Sequence, residues 1–105
     1  MKKFLSAALL AAAFGMAGSS AQAADPVVGR VLAADLCSGC HLVADGQSGP
    51  VVDGVPAFSA LARDPAIDDR RLRGFIVDPH PPMPRVPLTA VEIESLVAYI
   101  RSLAP

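Results

Sequence analysis

Apolar positions recur along the chain at helical rather than alternating spacing, and no segment alternates in the way a half-buried strand would. Asp25 is placed to cap a first helix, with Pro26 in its opening turn and Val28, Val31 and Leu32 as apolar positions running to about Leu36. From Ser38 to Val55 the pattern breaks down around Gly39, Gly46, Gly49, Pro50 and Gly54. Pro56 to Ala62 reads as a short helix. Asp64-Pro65 opens another, in which Ile67, Leu72, Phe75 and Ile76 are placed to share a face before Pro79 ends it. Five prolines between Asp78 and Leu88 exclude regular helix there. Thr89 and Glu92 then form a capping box, and Ile93, Leu96, Val97, Ile100 and Leu103 continue at helical period. The pattern predicts an all-α domain with a helix at each end, shorter helices between them and long loops.

The first 23 residues fall outside this plan. Lys2 and Lys3 precede an apolar run from Phe4 to Ala17, and Ala21-Gln22-Ala23 has the small-x-small form at which leaders are cut. This is the layout of a secretory signal peptide, residues 1–23, which leaves a single domain over 24–105. The apolar run is shorter than the ~20 residues that span a bilayer, so no stable membrane span is expected after cleavage.

Removing the leader removes both lysines. Seven arginines then stand against ten acids, a formal charge of −3. With no basic run and few aromatics, nucleic acid is excluded as a partner class. The remaining 82 residues carry only Phe58, Phe75 and Tyr99 as aromatics. A core so small ordinarily needs a disulfide, a metal or a large apolar cofactor to hold it.

Cys37-Ser38-Gly39-Cys40-His41 supplies a reason for one. Cys-x-x-Cys-His is the attachment signature of haem c. Two thiols at this spacing each bond one vinyl group on the same porphyrin edge, and the histidine that follows lies beneath the iron as proximal ligand. A plain disulfide leaves His41 without a role. A thioredoxin-like pair lacks its βαβ context, and zinc lacks ligands. A sixth iron ligand has two sources, Met83 and His80. Met83 is preferred, because Pro82 and Pro84 flank it and hold its thioether at little entropic cost.

These features together resemble the small class I c-type cytochromes of bacterial periplasms, monohaem proteins of the cytochrome c fold. The likeness rests on Gly29 to Leu36 ahead of Cys37-x-x-Cys40-His41, on the His80-Pro81-Pro82-Met83-Pro84 loop, and on Leu88-Thr89-x-x-Glu92 with Leu96 to Ile100. It implies N- and C-terminal helices that cross, with Gly29 allowing close approach to Tyr99. It also implies a proline carbonyl bonded to the second ring nitrogen of His41, from Pro56 in preference to Pro50. The cofactor-binding set is then Cys37, Cys40, His41, Pro56 and Met83, with His41 and Met83 on the metal. The implied role is periplasmic electron transfer, from a dehydrogenase donor to an oxidase or reductase acceptor. A haem subunit of a dehydrogenase, or a five-coordinate haem that binds small gases or peroxide, are the alternatives. With no tryptophan, arginine or backbone groups must reach the haem propionates. With no lysine in the mature chain, a lysine ring cannot be the docking surface.

Overall fold

The computed structural model describes residues 23–49 and 52–105, together with Gly15 and Gly18. The expected leader, apart from those glycines and Ala23, lies outside the described residues, as does Pro50. Four helices follow in order: α1 (Pro26–Leu36), α2 (Phe58–Arg63), α3 (Asp69–Val77) and α4 (Ala90–Ser102). The described residues contain no strand. None of the described helices is long and apolar enough to cross a membrane.

Caps set most of the boundaries. The Asp25 carboxylate accepts from the Val27 N–H at 2.8 Å and starts α1, with Pro26 in the first turn, where its missing N–H is no loss. Asp68 does the same for α3 through the Arg71 N–H, also at 2.8 Å. Thr89 and Glu92 make both halves of the capping box that opens α4.

α1 and α4 form the principal contact, and a missing side chain makes it close. A Cβ on Gly29 would lie 1.9 Å from the Ser95 carbonyl oxygen and 2.8 Å from Cβ of Tyr99. The small residues Gly29 and Ala33 therefore face the core, and Val27, Val28 and Val31 face outward. Of the apolar positions along α1, Val28 and Val31 are thus exposed and Leu32 packs against the core, while Gly29 meets Tyr99 as the resemblance implied. The apolar pattern left two faces available, and the contact with α4 selects the one with the least volume. Ser95, buried at the crossing, accepts from the Asp25 N–H at 3.0 Å. The core is completed by Val43, Phe58, Ala62, Leu72, Leu96, Val97, Tyr99 and Ile100.

Two further expectations shift. Asp64-Pro65 makes a turn rather than a helix start: the Asp64 carboxylate accepts from the Ala66 N–H, and its carbonyl accepts from Ile67. Phe75 is 39% exposed, although Leu72 on the same helix is buried. Leu72 and Ile76, four apart, make the inward stripe, and Phe75 stands to one side of it.

Arginines tie the middle helices to α4. Arg73 meets Glu94 through two parallel bonds, with Nε to Oε1 and Nη2 to Oε2. Arg101 bonds the Asp69 carboxylate and the Ile67 carbonyl. The hydrogen bond from Arg73 holds the Glu94 carboxyl below the usual glutamate range. A depressed pKa in the folded state means stabilisation that is present above the unfolded value and is lost as pH falls through the folded one. Urea titrations across the acid range check this. Glu94→Gln should unfold at lower urea near neutrality, and the gap from the parent should close on acidification. The effect is small, because both side chains are about two-fifths exposed and screened by salt.

Candidate functional site

The two thiols and the imidazole come from one turn at the end of α1. Cys37 caps the helix, and its N–H bonds the Ala33 carbonyl. Its own carbonyl accepts from both Cys40, at 3.2 Å, and His41, at 2.9 Å. The chain thus coils once more after the helix, and Cys37, Cys40 and His41 are all presented by that one coil. Ser38 tightens it by donating its hydroxyl to the Ala34 carbonyl. Both cysteines are free thiols, Cys37 half-buried against the core and Cys40 exposed. Burial pushes the Cys37 thiol above its ordinary value, which keeps it protonated. A Cβ on Gly39 would meet nothing within 4 Å. Protein packing therefore does not demand a glycine here.

His41 is fixed by its surroundings. Its Nδ1 lies 2.7 Å from the Pro56 carbonyl oxygen. A carbonyl only accepts, so Nδ1 carries the proton and donates. In the neutral imidazole this leaves Nε2 with a free lone pair, the form a metal binds. The Phe58 ring lies against the imidazole with centroids 5.2 Å apart, tilted by 50°.

The residues after His41 hold the turn in place. Phe58 N–H donates to the Leu42 carbonyl at 2.9 Å, which lays the Pro56-Ala57-Phe58 segment alongside residues 41–43. Val43 N–H donates to the Gln47 side chain at 2.9 Å, and the Tyr99 hydroxyl donates to the Val43 carbonyl. Burial pushes the Tyr99 hydroxyl above its ordinary value, so it stays a donor. Sequence reasoning placed Tyr99 at the helix crossing and missed this second contact. A lone tyrosine in a small core, whose hydroxyl needs a partner, was the available signal. Nothing in the sequence marked Gln47.

Met83 belongs to a separate loop. Its N–H donates to the His80 carbonyl at 2.9 Å, Pro82 and Pro84 flank it, and the Pro81–Pro82 bond is cis. Met83 is half-buried and His80 is exposed. Among the described residues, no hydrogen bond joins this loop to the His41 segment, so hydrogen bonds unite Cys37, Cys40, His41 and Pro56 but not Met83. Arg85 and Asp78 pair across the base of the loop at 3.1 Å. Of the arginines on α3, Arg73 is committed to Glu94, while Arg70 and Arg71 lie on an exposed face.

Haem c fits these residues. Two free thiols and an imidazole whose Nδ1 is engaged by the Pro56 carbonyl, leaving Nε2 available, emerge from a single turn. The family model for cytochrome c matches residues 27–104, nearly all of the described chain. Cytochrome c-552 of Bradyrhizobium diazoefficiens is 44% identical over 96 residues, covering 91% of each chain. No solved structure matches the chain. Site geometry, family model and relative agree, and the chain belongs to the cytochrome c family, electron-transfer proteins that carry covalently bound haem c.

Proposed function

We propose that residues 24–105 act in the periplasm as a one-electron carrier, with His41 and Met83 as the axial ligands of the iron. The observation that carries this reading is the bond from His41 to Pro56. It orients the imidazole, fixes its tautomer and leaves Nε2 to coordinate. Cys37 and Cys40 would hold the haem through thioethers, His41 through Nε2 and Met83 through its sulfur. Once bound, the group supplies a Fe(III)/Fe(II) couple of raised potential, as His/Met ligation gives.

The chain's own residues stiffen that site. Phe58 packs on the imidazole and resists its rotation. The prolines at 82 and 84 restrict the backbone that bears Met83, so little reorganisation accompanies a change of charge. With both His41 and Met83 on the iron no position would remain open to a substrate, which is the arrangement of a carrier rather than a catalyst. Its redox partners would be a periplasmic dehydrogenase as donor and an oxidase or reductase as acceptor, met through small, transient contacts.

Export rests on the Lys2-Lys3 start, the apolar run and Ala21-Gln22-Ala23. The likeness to the Bradyrhizobium protein spans 96 of the 105 residues and so reaches back to residue 10 or earlier. It therefore takes in much of the leader.

Protein matured in a periplasm with haem-attachment machinery provides the test. Haem should survive acid-acetone extraction, and the ferric form should show a far-red thioether–iron band. Haem lost on extraction would overturn covalent attachment. Haem retained without that band would overturn Met83 ligation and leave His80, or an open fifth-ligand-only site, in its place.

A further inference from the structure

α1 is apolar on two opposite sides. Gly29 and Ala33 face α4, while Val27, Val28 and Val31 are 67%, 44% and 56% exposed. Ala34, one turn further on, is exposed as well. A surface helix ordinarily turns one apolar stripe inward and a polar face to water. Here only one side is covered by the described residues.

The outward positions have a register. Val27, Val31 and Ala34 follow at spacings of four and three, the seam of a two-stranded coiled coil, with Val31 at a and Val27 and Ala34 at d. Gly29 then falls at f, directly away from the seam, as its contact with α4 requires. Arg30 takes g and Asp35 takes e. Both are exposed, and neither has an ion-pair partner among the described residues.

Those two charges select an occupant and its direction. In a parallel pair, the g residue of one helix faces the e residue five positions later on the other. Arg30 of one copy therefore meets Asp35 of the second, and the two-fold axis makes the same contact twice. An antiparallel two-fold pair would set Arg30 against Arg30 and Asp35 against Asp35, which repel.

We propose that the outward face of α1 is a self-association surface, on which two copies of the chain pair in parallel through Val27, Val31 and Ala34. Each Cys37–His41 turn follows the C-terminal end of α1, so a parallel pair brings both turns to one end, on helices about 8–10 Å apart. A reduced copy could there pass its electron to an oxidised one. The seam is only as long as an 11-residue helix. It falls short of the roughly 1,200 Å² of a stable interface, so the pairing is transient and forms at high concentration.

Sedimentation of the mature holoprotein from about 10 µM to 1 mM tests this, with α1 contributing no more than a weak interface of that class. The parent should shift towards dimer with rising concentration. Val31→Asp should abolish the shift with an unchanged visible spectrum, since Val31 has no part in the core. Arg30→Asp and Asp35→Arg should each weaken association about tenfold, and the double variant should restore it. A parent that stays monomeric at 1 mM would overturn the proposal, as would a shift indifferent to Val31→Asp. Failure of the double charge reversal to rescue would overturn the parallel arrangement and the proposal with it.

Discussion

Gly29→Ala should destabilise the holoprotein by about 3 kcal/mol or more, at the upper end of what forced overpacking costs. The added methyl has nowhere to go. It would sit 1.9 Å from the Ser95 carbonyl oxygen and 2.6 Å from the carbonyl carbon, and both are backbone atoms that no rotamer change can move. α1 and α4 must separate, which strains the bond from Asp25 to Ser95 and loosens Ala33 from the core. At roughly 4–8 °C per kcal/mol for a domain of this size, the melting midpoint should fall by on the order of 15 °C. Thermal melts followed by haem absorbance would read it. A loss below about 1 kcal/mol would mean that the helices do not approach as described.

The second large effect is on potential rather than stability. Met83→Ala should abolish the far-red ferric band and lower the reduction potential by hundreds of millivolts, within the ~0.8 V range that axial ligands set. A thioether is a soft donor that favours the ferrous state, and burial in an apolar site disfavours the extra charge of the ferric one. Replacing the sulfur with a methyl group leaves water or His80 to take the position, and both favour ferric iron. Met83→His separates coordination from potential: the iron should remain six-coordinate while the potential still drops. His80→Ala should leave band and potential unchanged. A potential unmoved by Met83→Ala would remove this residue from the iron.

Features governed by neighbouring residues were legible in the sequence. The start of α4 follows from Thr89 and Glu92, and the start of α1 from Asp25 and Pro26, because a cap is satisfied within three residues of itself. The turn bearing Cys37, Cys40 and His41 was legible for the same reason, since the spacing is set by the chemistry of one porphyrin edge. What stayed hidden depends on residues far apart. That Val27, Val28 and Val31 turn outward depends on how near α4 can come, and the glycine that decides it, Gly29, was recognisable only through the resemblance to known cytochromes. Phe75 has the composition of a core residue, but Leu72 and Ile76 occupy the stripe that meets the core. The Tyr99 bond to Val43 spans 56 positions and leaves no local trace. The onset of α3 was misplaced because Asp64 and Asp68 are both competent caps. Asp64 spends its carboxylate on a turn.

Asp25 and Ser95 stand 70 positions apart, and the pair they join consists of the first and last helices. A ribosome delivers α1 well before α4. Closing so long a loop is costly, and nothing rewards it before the final helix exists. During that interval α1 has no partner, Tyr99 has not been made, and the segment after His41 lacks the bond that will later pin Val43. Cys37 and Cys40 consequently stay on a chain without fixed structure until α4 is present. Arrival of that helix fixes the turn from both sides, through Ala33 before it and Val43 after it. Even then Cys40 is exposed and Cys37 only half-buried, so the order of folding leaves both thiols within reach before and after the helices close.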